Sequence, residues 1–255
     1  MSPDKKSKRQ ERRERMHQQE TRRRLLTIGL ITIGAALLVF VVVWPQIRPV
    51  AAIVPAESME HPNVNDNAIG DPNAPIKIEE FSDFQCPFCE RFHKETEALL
   101  IEHYVKTGKV QFVYRSMGNF VSQNIGGART ESQDAALAAY CAGDQGKFWE
   151  MHDALFANVL GEDAGSFTDR RLQAIAEKVG LNMAEFNSCY TSGKYVERVQ
   201  QDLKDGQAAK INGTPGFLVT YTVNGETKSK LIEGAQPFST FQVELEAILN
   251  EVNAS

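Results

Sequence analysis

The stretch FSDFQCPFC, residues 81–89, decides the fold of this chain of 255 residues. The segment just before it, IKIEEF at residues 76–81, ends at the same Phe81. Its apolar residues alternate with polar ones as in a β-strand with one buried face. Pro87 suits the first turn of a helix, because proline has no N–H to leave unpaired there. The sequence therefore predicts a strand, a brief loop, and a helix that begins at the pair Cys86 and Cys89.

Beyond this motif, the pattern predicts an α/β domain interrupted by a block of helices at about residues 128–210. Strands are expected where β-branched and aromatic residues are frequent, at 76–81, 110–114, 216–223 and 228–232. Helices are expected where apolar residues recur with a helical period, at 87–107, 131–142, 147–159, 169–180, 182–191, 194–209 and 237–252. Without the block, the remainder is a small mixed sheet with helices on both faces.

The chemistry of the motif depends on where its two thiols stand. Cys86 lies at the start of the predicted helix, where unpaired N–H groups and the helix dipole favour a thiolate. Cys89 lies one turn further on, so we expect Cys86 to form a mixed disulfide with a substrate and Cys89 to resolve it. A zinc site is the alternative. The other two cysteines stand 52 and 100 residues beyond Cys89, and no second CxxC or His-x3-His is present, which disfavours zinc.

Two further segments bear on this chemistry. Glu80, at the end of the strand, is expected to face the core and to accept or relay the proton of Cys89. The alternative is that Glu79 faces inward, because alternation along a strand allows only one of the two to do so. Thr214 and Pro215 come just before the first hairpin strand. Pro215 is either an ordinary loop residue or a cis proline, and the residues alone leave both open.

Three stretches, in this order, resemble the DsbA-type branch of the thioredoxin superfamily: FSDFQCPFC (81–89), CAGDQGKFWEMHDALF (141–156) and GTPGF (213–217). The resemblance covers about residues 65–252. It implies an α/β, thioredoxin-like fold with an inserted all-helical subdomain. It also implies a protein thiol–disulfide oxidoreductase whose electrons reside on the cysteine pair, with no metal or organic cofactor.

The resemblance, carried over by position, implies a role for each residue of the site. Cys86 is the nucleophile, Cys89 is the resolving thiol and Glu80 is the buried acid. Pro215 is a cis proline that packs against the disulfide, and Thr214 offers backbone hydrogen bonds to a bound peptide. The implied partners are cysteine-containing exported proteins and a quinone-linked membrane protein that reoxidises the pair.

One departure from the family concerns the dipeptide inside the motif. It is Pro87-Phe88 here, whereas strongly oxidising members have Pro-His, whose positive charge stabilises the reduced thiolate. Phe88 carries no such charge, so the direction of electron flow stays open between a disulfide donor, which we favour, and a reductase or isomerase. An exposed Phe88 would instead add an apolar contact for unfolded substrates. A third interpretation is a chaperone or binding module in which Cys86 and Cys89 form only a structural bridge.

An apolar segment near the N-terminus predicts a membrane anchor. LLTIGLITIGAALLVFVVVW, residues 25–44, has twenty residues without a charge, enough to span about 30 Å of hydrocarbon as a helix. A cleaved signal peptide and a buried core helix are the alternatives, but both have shorter apolar runs, and PQIRP rather than an Ala-x-Ala pattern follows this one. Residues 45–70, rich in proline, are expected to be a linker, and 71–252 the folded domain.

Charge predicts the orientation of that anchor. Residues 1–24, expected to be an unfolded cytoplasmic tail, hold ten Lys and Arg against four acids. Positive flanks stay inside, so the sequence predicts a single-pass cell-membrane protein whose C-terminal domain is extracytoplasmic. The whole chain carries −5 and this tail +6, so the rest carries −11. An acidic body argues against nucleic-acid binding.

The remaining cysteines and histidines lead to weaker expectations. Cys141 and Cys189 are 48 residues apart in an oxidising compartment, and they are either two buried thiols or a structural disulfide. The five histidines show no ligand spacing, so no metal site is predicted. His93 is expected to lie at the surface or in ordinary packing, and the domain is expected to be monomeric.

Overall fold

The computed structural model describes residues 8–47, 49–57, 59–127 and 130–254. The chain divides into two units, residues 1–50 and 51–255. In the described part of the first unit, residues 8–47 and 49–50, the chain forms the helix α1 (Lys8–Ile47), which is long and apolar enough to cross a membrane. The prediction of an unfolded tail is wrong from Lys8 onward, because the Arg, Glu and Gln residues there are good helix formers that continue the apolar helix. The predicted tail residues 1–7 lie outside the described residues.

The second unit is built on a five-stranded mixed sheet in the order β1-β3-β2-β4-β5. Its strands are β1 (Ala68–Ile69), β2 (Ile76–Ser82), β3 (Val110–Ser116), β4 (Gly216–Val223) and β5 (Glu226–Glu233). β2 and β3 are parallel, and every other pairing is antiparallel. The central position of β2 explains its apolar pattern, since Ile76 and Ile78 are completely buried.

A helical run over residues 87–105, α2, connects β2 to β3. Its segments Pro87–Phe92 and Ala98–Leu100 are α-helical, whereas His93–Glu97 and Ile101–Val105 have the wider π-helical hydrogen bonding. α2 therefore presents its first turn, which carries the cysteine motif, at the end of the central strand.

The predicted all-helical insertion between the two halves of the sheet is confirmed. Its helices are α3 (Phe120–Asn124), α4 (Glu131–Gly143), α5 (Phe148–Ala157), α6 (Asp169–Val179), α7 (Met183–Ser192) and α8 (Val196–Ala208), and α9 (Phe238–Asn253) closes the chain. The short α3 was not predicted, because five residues carry too little periodicity to be recognised. The aromatic run of α5 lies in the core as expected, with Phe148, Trp149 and Leu155 completely buried.

The predicted linker, residues 45–70, is largely part of the domain. The side chain of Asn158 bonds both the N–H and the C=O of Val54, at 2.9 and 2.8 Å. Arg171 donates to the carbonyl of Ala51 at 2.9 Å. The frequent prolines suggested a tether. This segment instead packs on the domain, because burying the apolar side chains between the prolines is favourable. The side chains packed on the core are Ile53, Ala56 and Met59.

Candidate functional site

The cysteine motif occupies the junction between β2 and α2. Cys86 is the N-cap of α2, with an extended backbone (φ −71°, ψ 122°), and Pro87 is the first helical residue. The Cys86 N–H donates to the carbonyl of Asp83 at 3.0 Å, and its own carbonyl accepts from the N–H of Glu90 at 3.0 Å. Cys86 is 5% exposed, Cys89 is completely buried, and both thiols are free.

The two thiols have opposite acidities. A hydrogen bond from the Cys89 thiol, helped by Thr214 and by the N–H groups of Phe88 and Cys89, lowers the pKa of Cys86 to about 6 in spite of burial. Burial, together with the neighbouring charges of Cys86 and Glu80, raises the pKa of Cys89 well above its ordinary value. At neutral pH these shifts favour a thiolate at Cys86 and a protonated thiol at Cys89.

Glu80, rather than Glu79, faces the core beneath α2. Glu80 is 1% exposed, whereas Glu79 is half-buried and forms ion pairs with Lys77 at 3.2 Å and Arg115 at 3.1 Å. This is the orientation expected for Glu80, and alternation along the strand allows only one of the two to face the core.

The environment of Glu80 favours its protonated form. Neither carboxyl oxygen has a hydrogen-bond partner among the described residues. Burial first, then the negative charges of Glu97 and Cys86, raise the pKa of Glu80 well above its ordinary value, and the nearby Ser82 hydroxyl offsets only part of this. A buried carboxylic acid beside Cys89 is suited to giving and taking the proton of that thiol.

The peptide bond between Thr214 and Pro215 is cis. The Cys86 Sγ donates to the carbonyl of Thr214 at 3.3 Å, so this loop lies directly against the reactive sulfur. A groove of about 250 Å³ begins here and is lined by residues 211–216 and 231–234. Thr214 therefore belongs both to the lining of this groove and to the contact with Cys86.

Phe88 lies on the outer side of the motif. It is 53% exposed, and the Arg91 guanidinium lies 5.2 Å from the centre of its ring. Arg91 is itself held by a 3.1 Å hydrogen bond to the carbonyl of Ala235. An aromatic ring at this position is available to contact a bound protein.

Cys141 and Cys189 form a disulfide, with Sγ atoms 2.01 Å and Cα atoms 5.8 Å apart. The bond joins α4 to α7 within the inserted helices and is separate from the free pair.

Sequence patterns missed Asp83. Its carboxylate accepts from the N–H groups of Gln85 (2.9 Å) and Val121 (3.0 Å), which ties the loop before the motif to α3. Burial, only partly offset by these bonds, raises the pKa of Asp83 to about 7. An Asp three positions before a helix-capping residue is a local signal that could have identified it.

Sequence patterns also missed a cluster of His93, Glu97 and His152. The side chain of His93 is only 12% exposed and its Nδ1 lies 2.7 Å from Glu97 Oε2. Among the described residues, these three form the group whose ligand atoms would suit a metal ion, all lying within 4.8 Å of one another. Spacing could not reveal it, because His152 comes from the inserted helices.

Residues 62–234 match the family model described as thioredoxin. Among solved structures, the chain is similar in fold to oxidised BdbD from Bacillus subtilis, with TM-score 0.60, 19% identity, and coverage of 77% of this chain and 100% of that one. It is also similar to alpha-DsbA1 from Wolbachia pipientis, with TM-score 0.62, 21% identity, and coverage of 76% and 96%.

Among curated proteins, the chain is 29% identical over 154 residues to the Na⁺/H⁺ antiporter NhaA 1 of Salinispora arenicola, covering 60% of this chain and 21% of the antiporter. It is 30% identical over 198 residues to NhaA 1 of Mycobacterium sp. strain KMS, covering 72% and 29%. The chain thus spans less than a third of the length of these two antiporters. It is 27% identical over 154 residues to the probable disulfide bond formation protein D of Bacillus anthracis, covering 60% and 68%.

The family model covers both halves of the sheet and the helices inserted between them. The predicted thioredoxin-like fold, with its helical insertion and one apolar N-terminal helix, is confirmed. The chain belongs to the thioredoxin family.

Proposed function

We propose that this chain is a membrane-anchored thiol–disulfide oxidoreductase that donates the Cys86–Cys89 disulfide to cysteine pairs of exported proteins. The observation that carries the proposal is the split acidity of two neighbouring thiols beside the cis Thr214–Pro215 bond. A purely structural bridge has no need of a stabilised thiolate at a helix N-terminus or of a groove beside it.

Each step of the exchange has a matching group in the site. A substrate thiolate attacks the Cys86 Sγ, the Cys86–Cys89 bond breaks, and Cys89 leaves with a proton from Glu80. The second thiolate of the substrate then attacks the substrate sulfur of the mixed disulfide. A disulfide forms within the substrate, and Cys86 leaves as a thiolate. The substrate gives up two electrons and two protons. The cysteine pair takes up the electrons, one proton replaces the one that Glu80 gave to Cys89, and the other goes to solvent because Cys86 stays a thiolate. Cys86 is a good leaving group because its pKa is low.

Three residues would hold the substrate against Cys86. The backbone of Thr214 is adjacent to the sulfur, Pro215 shapes the groove, and the exposed ring of Phe88 offers apolar contact. Pro87 fixes the first turn that aims the N–H groups at Cys86. None of these contacts requires a particular side chain of the substrate, which suits a catalyst that acts on many unfolded chains.

The acidity of Cys86 favours donation over reduction. At pH 7 a thiol with a pKa of about 6 is mostly ionised, which stabilises the reduced protein by roughly 1.4 kcal/mol, or about 30 mV for two electrons. Phe88 favours a lower redox potential, because it lacks the positive charge with which a histidine stabilises the reduced thiolate. A reductase or isomerase with the same site is therefore the alternative.

The remaining parts of the proposal are location and partners. The apolar helix α1 and its basic N-terminal flank support a single-pass anchor with the domain outside the cytoplasm. A donor must be reoxidised after each turnover, and a quinone-linked membrane protein is the partner that we propose.

The test is the redox potential of the Cys86–Cys89 pair in the full-length protein in detergent, by glutathione titration, alkylation and mass spectrometry. Cys141 and Cys189 are followed separately by their own peptides. We expect a potential near or above about −150 mV, typical of a donor. A value below about −220 mV would reassign the protein as a reductase. A pair that resists reduction throughout, or exchange activity that survives Cys86→Ser, would contradict the enzymatic proposal.

A further inference from the structure

A second cluster of titratable side chains lies inside the domain, apart from the two free thiols. His93 and Glu97 come from α2, and His152 comes from α5 in the inserted helices. Glu97 and His152 are completely buried, and each residue of the trio offers one ligand atom within 4.8 Å of the others. The fold thus brings two imidazoles and one carboxylate together in the core.

Two atoms of this cluster are unpaired. Glu97 Oε1 and His152 Nε2 are both buried without a hydrogen-bond partner among the described residues. A buried polar atom without a partner destabilises the folded state, and an apolar ring lies beside both histidines here. The ring of Phe156 lies 5.0 Å from the His152 ring and 4.9 Å from the His93 ring, between centroids. Such atoms in a native core are usually satisfied by a bound water or ion.

The second nitrogen of His152 is already oriented. Its Nδ1 lies 3.0 Å from Oδ1 of Asp153, so this carboxylate fixes the tautomer that leaves Nε2 with a free lone pair. Histidines that bind metals in proteins nearly always give their other N–H to a carboxylate or carbonyl in this way. The unpaired Nε2 and the paired Nδ1 are two independent features of a ligand histidine.

We propose that His93, Glu97 and His152 bind a divalent transition-metal ion, with Zn²⁺ the best match to two imidazoles and one carboxylate. Zinc bonds of about 2.0–2.1 Å require the three side chains to adjust, since their ligand atoms are separated by up to 4.8 Å. The partly exposed edge of His93 is the route of entry. The ion ties α2, which carries the cysteine motif, to the inserted helix α5.

The test uses full-length protein in detergent, produced without a histidine tag and with Cys86 and Cys89 oxidised, so that no thiol competes for the metal. Titration with Zn²⁺ against a chelating dye is expected to show one tight site per chain and a rise in Tm. Glu97→Gln, which keeps the side-chain volume, and His152→Ala are each expected to weaken binding at least about tenfold. Asp153→Asn is expected to weaken it about 10–100-fold.

His103→Ala is the matched control, because His103 is an exposed histidine on the same helical run; we expect unchanged affinity. Circular dichroism checks that each variant is folded. If His152→Ala does not fold, the isosteric Glu97→Gln variant alone tests the proposal. Absence of tight binding to the oxidised wild type would overturn the proposal. So would equal affinity in Glu97→Gln and His103→Ala. The exchange test measures the redox potential of the Cys86–Cys89 pair, whereas this test measures Zn²⁺ affinity, so either proposal can fail without the other.

Discussion

Cys86 and Cys89 carry the same side chain, and their acidities differ because of where each sulfur stands. Cys86 receives hydrogen bonds at the open end of α2, whereas Cys89 lies one turn deeper, in the core beside Glu80. The thiol of Cys89 is also the donor that stabilises the thiolate of Cys86. The acidity of Cys86 is thus a property of the pair, and each cysteine sets the role of the other.

This dependence gives the first prediction. Cys89→Ala removes the principal hydrogen bond to the Cys86 thiolate, so the pKa of Cys86 should rise from about 6 toward the ordinary thiol value of about 8.5. Thiolate absorbance at 240 nm, followed against pH, measures it. At pH values below the raised midpoint the Cys86 thiol is protonated, so the rate at which Cys86 attacks a disulfide should fall there. A midpoint that does not move in Cys89→Ala would assign the effect to the helix terminus alone.

The second prediction concerns Glu80→Gln. An amide cannot give a proton to the leaving Cys89, so the opening of the Cys86–Cys89 disulfide by a substrate thiolate should slow by about a hundredfold in stopped-flow measurements. Glu79→Gln, one position away on the same strand and facing outward, is the control and should leave this rate unchanged.

Glu80→Gln should slow the exchange but make the folded protein more stable at high pH. Because the pKa of Glu80 is raised in the folded state, the folded protein holds this proton more tightly than the unfolded chain. The free energy of unfolding of the wild type should therefore fall as pH rises above the ordinary Glu pKa. Glu80→Gln should abolish that loss and be the more stable protein at pH 8, with little difference near pH 4. A mutant that is slower and also less stable at pH 8 would indicate simple structural damage.

At the scale of elements, local signals were enough to predict most of the helices and strands. Pro87 marks the first turn of α2, and Gly180, at φ +79°, ends α6 where the apolar period stops. Contacts between distant segments could not be predicted in this way. His93 and His152 stand 59 residues apart in sequence, and they meet because α5 packs on α2. β1 was missed because a strand of two residues has no period.

The disulfide between α4 and α7 gives the third prediction. It closes a loop of 48 residues, and the loss of this constraint on the unfolded chain should lower the free energy of unfolding by up to about 4 kcal/mol. Cys141→Ala/Cys189→Ala, measured by urea unfolding, tests this. The redox potential of the Cys86–Cys89 pair should stay the same, because the two sites share no residue. A double mutant as stable as the wild type would show that the helices hold this region by packing alone.

At the scale of the whole molecule, the proposed function requires the domain that follows the apolar helix to lie in an oxidising compartment, where its thiols meet their substrates. The domain begins to pack at Ala51, much earlier than the prolines of residues 45–70 suggested.

Orientation is therefore the last prediction, and it depends on charge. The cations within residues 1–24 should hold the N-terminus in the cytoplasm, so protease added to intact spheroplasts should digest residues 51–255 and leave a membrane-bound fragment. Replacing Arg22, Arg23 and Arg24 by Glu should shift part of the population to the inverted, protected orientation. Replacing three exposed lysines of the domain by Glu should leave the orientation unchanged; these control positions are Lys94, Lys204 and Lys230. A domain protected in the wild type would place the thiols in the cytoplasm, where glutathione and thioredoxin keep cysteines reduced, and would leave a disulfide donor without its oxidising compartment.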